Sequence, residues 1–171
     1  MKRTLKLFLI FVFSFITMFA GESRDPREEK LGYRIGDKVE NFNLTSLDGQ
    51  KEISLDKFKG KKVLVNFTTT WCPDCRGEKD IMGKEYVEKY KDRDDIEFVV
   101  VFGPYKTDNK ELADRYMAEN SYKFPSYYDD TAEIIQRFKV VNVPTSFLID
   151  ENGVVEDVNI ETGYNKLKYF N

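Results

Sequence analysis

The run Val63-Leu64-Val65-Asn66-Phe67-Thr68-Thr69-Thr70-Trp71-Cys72-Pro73-Asp74-Cys75 constrains the fold more than any other stretch, and it holds both cysteines of the 171-residue chain. A short run of β-branched and aromatic residues reads as a buried strand. It breaks at the threonines and restarts as a helix, with Pro73 suited to the first helical position. Cys72 then lies at a helix N-terminus, where unpaired N–H groups and the helix dipole favour an anion. A thiolate is the anion at hand. Two cysteines spaced by two residues on a first helical turn can close to a disulfide and reopen to a dithiol, as reversible thiol-disulfide exchange requires.

Two plainer readings of the pair are weaker. Structural zinc needs four ligands from Cys, His or acidic side chains, and the chain has no His and no second cysteine pair. An inert disulfide across so short a loop removes little unfolded-chain entropy. The flanking strand and helix signals instead put the pair where a redox centre sits.

The segment from Val65 to Glu78 resembles the active-site segment of extracytoplasmic thioredoxin-like oxidoreductases of the TlpA and ResA type. The likeness extends from Ile35 to Gly163. It implies an α/β chain with a thioredoxin-like fold, a central mixed β-sheet flanked by helices, carrying an N-terminal β-hairpin extension.

Residues 1–20 read as a signal peptide or N-terminal membrane anchor. Lys2, Arg3 and Lys6 precede Leu7 to Ala20, which is apolar apart from Ser14 and Thr17. That length fits the apolar core of a signal peptide better than a full span, and an uncleaved form would tether the protein through residues 7–20. Either way the protein is expected in the periplasm or on the extracytoplasmic face of the cell membrane, where disulfides persist. Residues 21–33 are polar, contain Pro26 and have no apolar period, which predicts a flexible linker. Residues 34–171 suffice for one thioredoxin-like domain. The net charge of −3, more negative without the leader cations, and the absence of a basic stripe argue against nucleic-acid binding.

Within the domain, Val39, Phe42 and Leu44 followed by Leu47-Asp48-Gly49, Ile53 and Leu55 predict a hairpin. Ser54 is expected to cap one helical turn, Leu55 to Phe58, that stops at Gly60. Ile81, Met82, Tyr86, Val87 and Tyr90 recur at helical spacing, predicting one helix from about Cys72 to Lys91 with that face on the sheet. Glu97 to Phe102 reads as the next strand, joined by a parallel crossover. Asp108 with Glu111, and Asp130 with Glu133, have capping-box spacing and predict helices near 109–119 and 131–138. Ser146 to Asp150 and Val154 to Ile160 predict a second hairpin around Glu151-Asn152-Gly153. The stretch from Phe138 to Val155 resembles the family segment whose matching proline is cis and lies against the disulfide. The resemblance therefore implies a cis Val143-Pro144 bond, with Val143 and Pro144 at the substrate. The family's longer C-terminal helix is cut short here, leaving the cover of one sheet face open.

Cys72, the more N-terminal and more exposed cysteine, is the expected nucleophile, and Cys75 resolves the mixed disulfide. Pro73 preorganises the helix start, and Asp74 places a negative charge that opposes a thiolate at Cys72. This favours a reductant of protein disulfides over a strong oxidant. Glu78 lies three residues after Cys75, on the same helical face. It is either a solvated first-turn acid or, as the resemblance implies, a proton acceptor or tuning group for the cysteines. Trp71 is expected to pack at the rim with one edge wet. Asn66 stands where ordinary thioredoxins carry a buried Asp. No cofactor is expected beyond the Cys72-Cys75 disulfide, and the implied partners are protein disulfides and a membrane thiol-electron donor. Similar proteins reduce apocytochrome c, sustain spore or envelope processes, or feed methionine sulfoxide repair.

Two other activities have weaker support in the sequence. Thr69 and Cys72 match part of a thioredoxin-fold peroxidase motif, but its proline would fall at Val65. Soft thiolates also select Cu(I), yet related copper chaperones use a wider cysteine spacing and a distant His.

Overall fold

A computed structural model describes residues 25–161, 163–167 and 169. The expected targeting segment, residues 1–20, lies outside the described residues, as do residues 21–24. The elements run β1 (Asn43–Ser46), β2 (Glu52–Ser54), β3 (Lys62–Phe67), α1 (Pro73–Glu85), β4 (Ile96–Phe102), α2 (Lys110–Glu119), β5 (Ser126–Tyr128), α3 (Glu133–Phe138), β6 (Thr145–Ile149) and β7 (Val155–Ile160). The sheet order is β2-β1-β5-β4-β3-β6-β7. β3 and β4 pair parallel, as do β4 and β5, while β6 runs antiparallel to β3. The sheet is therefore mixed, and the expected N-terminal hairpin, β1 with β2, joins it through an antiparallel β1–β5 pairing.

The alternation of β3 divides the core in two. Val63, Val65 and Phe67 join a cluster with Phe147, Ile149 and the α3 residues Ile134, Ile135 and Phe138. Leu64 faces the other way, with Met82 of α1, Ala113 and Met117 of α2, and Phe98 and Phe102 of β4. A β3 strand buried on both faces explains its lack of apolar-polar alternation. Its Asn66, the one polar side chain among these inward positions, lies on the α1 side by the same period.

Several expectations change in the structure. Residues 25–33 do not form a free linker. Glu28–Lys30 makes a 3-10 turn, and Leu31 and Tyr33 are buried. The Gly32 N–H donates to the Phe138 carbonyl at 2.9 Å, so close that a Cβ at Gly32 would stand 1.8 Å from the Arg137 carbonyl oxygen. Only glycine permits this approach. Two buried apolar residues carried the signal, but their spacing gave no regular period.

The helix after the cysteines ends at Glu85 and continues as one π-helical stretch, Tyr86–Tyr90, in which the Lys91 N–H donates to the Tyr86 carbonyl. Its inward face is Cys75, Glu78, Lys79 and Met82, followed by Tyr86 and Tyr90 against Phe98. Ile81, at 46% exposure, and Val87 point outward. Met82, Tyr86 and Tyr90 face the sheet as the period predicts, while Glu78 and Lys79 complete that face in place of Ile81 and Val87.

Neither aspartate expected as a cap occupies the N-cap position, which is Asn109 in α2 and Ala132, without a side-chain cap, in α3. Asn109, not Asp108, caps α2 by accepting from the Leu112 N–H at 2.8 Å. Asp129, not Asp130, accepts from the Ile135 N–H at 2.9 Å in α3. The turn Leu55–Phe58 forms as a 3-10 helix, but Ser54 hydrogen-bonds Asn41 rather than capping it. Tyr164 and Leu167, beyond β7, are both buried in the α1 and α2 cluster and cover that face of the sheet.

Phe138 ties the N-terminal arm to the sheet, with ring centroids 4.8 Å from Tyr33, 5.1 Å from Phe67 and 4.9 Å from Phe147. Phe138→Ala should therefore cost about 3–5 kcal/mol, read as a lowered midpoint in urea unfolding.

Candidate active site

The site forms where β3 ends. The Thr68 N–H still donates to the Val101 carbonyl at 3.0 Å, extending the parallel ladder one residue past the strand. The chain then turns, and Asp108 from the loop before α2 holds it. Its carboxylate accepts from the Thr70 N–H at 2.9 Å and from the Thr70 hydroxyl. The Asp108 carbonyl in turn accepts from the Tyr128 hydroxyl at 3.1 Å. Asp108 is thus a clamp on the segment that delivers Trp71 and Cys72.

Cys72 is the N-cap of α1, with Pro73 as the first helical residue. Its sulfur accepts from the Cys75 N–H at 3.2 Å and lies 3.6 Å from the Val143 carbonyl oxygen. A capping sulfur takes one of the helix's unpaired N–H groups and sits at the positive end of the dipole. Both cysteines are unbridged thiols. Cys72 keeps 7% of its surface exposed and Cys75 none, the order expected of an outer nucleophile and an inner resolving thiol. The Val143-Pro144 bond is cis, as the resemblance implied.

The rim residues are exposed. Pro73 and Asp74 face solvent. Trp71 is 41% exposed, with the Lys106 ammonium 3.6 Å from its ring centroid, a cation–π contact that holds the indole at the edge. A cleft of about 260 Å³ runs beside the cysteines, lined by Pro73, Asp74, Glu78, Ile81, Pro144 and Tyr164 among others.

Glu78 is not the solvated acid of the plainer reading. It is 6% exposed. Its carboxylate accepts from Asn66 Nδ2 at 2.9 Å and from the Tyr164 N–H at 2.7 Å. Asn66 also donates to the Ser146 hydroxyl at 2.8 Å. Beside them lies Lys79, whose side chain has no exposed surface. Its Nζ donates to Asn66 Oδ1 at 3.3 Å and stands 3.6 Å from Glu78 Oε2.

Sequence reasoning missed Lys79, Ser146 and the backbone contribution of Tyr164. Lys79 was findable in principle: it falls one turn after Cys75 and three residues before Met82, on the stripe that must face the sheet.

Burial pushes the Cys75 thiol up to about 12, against the opposing pull of Lys79, and the hydrogen bond with Cys72 adds to the rise. Burial pushes Lys79 down, opposed by Glu78 and Cys75. Cys75 is therefore protonated in the resting dithiol at neutral pH. Iodoacetamide applied to the reduced protein between about pH 6 and about pH 9 should label Cys72 and leave Cys75 unmodified. Tandem mass spectrometry of the labelled peptide checks the position.

A family model described as Redoxin matches residues 34–169. The chain is 32% identical to the thiol-disulfide oxidoreductase ResA of Bacillus cereus, over 99% of this chain and 96% of the relative. It is 34% identical to the thioredoxin-like protein YneN of Bacillus subtilis, covering 79% of this chain and 76% of that one. The crystal structure of StoA from Bacillus subtilis superposes with a TM-score of 0.63 at 27% identity, over 72% of this chain and 90% of StoA. A mixed sheet with a Cys-x-x-Cys pair at the head of the helix after its central strand agrees with these matches, and the chain belongs to the Redoxin family as a ResA-type, thioredoxin-like thiol-disulfide oxidoreductase.

Proposed function

We propose that the protein is an exported reductant of protein disulfides that works through Cys72 and Cys75, with no cofactor beyond that pair. The observation that carries this reading is the Cys72 sulfur at the N-cap of α1, accepting from the Cys75 N–H at 3.2 Å with the Cys75 thiol buried behind it. The Cys72 thiolate attacks one sulfur of a client disulfide, forming a mixed disulfide and releasing the other client sulfur as a thiolate. Cys75, deprotonated, then attacks Cys72 Sγ. The Cys72-Cys75 disulfide forms, the second client thiolate leaves, and two electrons have passed to the client.

Val143 and Pro144 border the approach to Cys72, and the adjacent cleft offers a client segment a place beside it. Asp74 and the absence of any His favour the reducing direction, since neither supplies a cation to stabilise a thiolate at Cys72. Export rests on the leader-like residues 1–20. A reductant outside the cytoplasm must be recharged, which calls for a membrane thiol-electron donor. Cytochrome c maturation and general upkeep of envelope thiols are the roles that suit such a protein. In this scheme Glu78 tunes the cysteines from its place at the wall of the cleft.

The deciding experiment is a redox titration of the pair. A potential well below about −200 mV supports a reductant, and one near −120 mV overturns that direction. Cys75→Ser should accumulate mixed disulfides with clients in an envelope extract, whereas Cys72→Ser should trap none. For Glu78, the Glu78→Gln substitution should shift the pH dependence of Cys72 alkylation. An unchanged profile would reduce Glu78 to a packing role.

A further inference from the structure

Resting on the exchange reading above, the buried polar cluster behind the cysteines points to one more participant. The resolving step requires Cys75 to lose its proton in a place water does not reach, because its side chain has no exposed surface. A buried thiol ionises poorly unless a charge or a donor compensates. Lys79 is placed to meet that need. It lies one helical turn beyond Cys75 on α1, the spacing that brings side chains together, and is equally without exposed surface.

A fully buried lysine is rare and costly unless a partner or a function accounts for it. Among the described residues the amine meets Asn66 Oδ1 at 3.3 Å and Glu78 Oε2 at 3.6 Å. The Glu78 carboxylate is already engaged by Asn66 Nδ2 and the Tyr164 N–H. From α1 and its N-cap, the groups that act on Lys79 are Glu78, Cys75 and Cys72. Across the interface, β3 and β6 contribute only neutral Asn66 and Ser146 to the cluster. Two further groups act on the Cys75 sulfur in the direction that favours its anion, the Thr69 amide and the buried Thr68 hydroxyl.

We propose that Lys79 takes the Cys75 proton in the resolving step and holds the resulting thiolate as its ammonium counter-charge. In the mixed disulfide, the Cys75 S–H bond breaks and its proton passes to the uncharged Lys79 amine. The Cys75 sulfur attacks Cys72 Sγ, the bond from Cys72 to the client sulfur breaks, and the client sulfur leaves with the electron pair. The leaving thiolate takes up a proton and Lys79 gives one up, so the two thiol protons of the reduced pair end on the client's two sulfurs. The transfer moves charge only within the buried cluster. Its timing follows from the pair itself: once Cys72 is bound to the client it no longer opposes ionisation of Cys75.

The test is a stopped-flow reaction of the reduced protein with 5,5′-dithiobis(2-nitrobenzoate). The first release of thionitrobenzoate reports attack by Cys72, and the second reports resolution by Cys75. In the native protein the second phase should vary little with pH. In Lys79→Met the ratio of second to first rate should fall about 100-fold near neutral pH and recover about tenfold per pH unit as hydroxide replaces the lost base. A ratio and pH profile equal to those of the native protein overturn the proposal. So does their loss in Glu78→Gln alone, which would make Glu78 the acceptor. If the native protein releases fewer than two thionitrobenzoates per molecule, the exchange reading itself fails and the inference falls with it.

A measurement that leaves Lys79 in place covers the case of a misfolded variant. With Cys72 alkylated by iodoacetamide to stand in for the mixed disulfide, the Lys79 Cε resonance should titrate at a higher pH in the protein that keeps Cys75 than in Cys75→Ser. Identical titrations in the two proteins overturn the coupling and the proposal.

Discussion

A strand buried on both faces can carry a polar side chain only where the fold supplies that side chain with partners. β3 is such a strand, and Asn66 is its polar residue. Its amide draws in Glu78 and Lys79 from α1, Ser146 from β6, and through Glu78 the backbone of Tyr164. The helix that carries the cysteines is thereby registered against the sheet by hydrogen bonds as well as by Met82, Tyr86 and Tyr90. The short C-terminal segment is held by the same cluster, and the buried Tyr164 completes the apolar face. One polar position in the central strand thus links the redox pair, the neighbouring strand and the end of the domain.

That arrangement has an energetic cost. Hydrophobic residues of similar volume at Lys79 and Glu78 would often pack as well as or better than a buried amine and carboxylate. A satisfied network in a low-dielectric interior, however, fixes its members in one geometry and strengthens each hydrogen bond in it. The cost is placed beside the two thiols, where local electrostatics decide which sulfur carries charge. The outer face of the site follows other rules. Trp71, Pro73 and Asp74 are exposed, and Asp108 holds the approaching loop through Thr70, so the rim can meet a large partner while the interior stays dry.

Much of the architecture was readable from local pattern. The strand before the cysteines, both hairpins and the parallel crossover follow from runs of β-branched residues and turn glycines. Local patterns misled where the inward face was charged. Ile81 and Val87 looked like core because helical spacing cannot tell which of two overlapping stripes faces the sheet, and the stripe that does contains Glu78 and Lys79. The capping residues shifted for a related reason. Asp108 and Asp130 have the right spacing, but Asp108 is claimed by Thr70 across the site, leaving the cap to Asn109. The 25–33 arm looked like a linker because two isolated apolar residues, Leu31 and Tyr33, have no period and find their partners only in the assembled cluster around Phe138.

The sequence by itself determined the chemistry available: two cysteines one turn apart, a strand to present them, a proline to start the helix, and no histidine or further cysteine to suggest a metal. These depend on residue type and short spacing, which the chain carries locally. The tertiary structure decided which thiol is shielded, which carboxylate clamps the loop, and that a lysine and a glutamate lie inside rather than in water. Those outcomes depend on packing β3, β6 and the C-terminal segment against one face of α1. Contacts among residues 66, 79, 146 and 164 arise only when the sheet assembles, so no local period or motif could announce them.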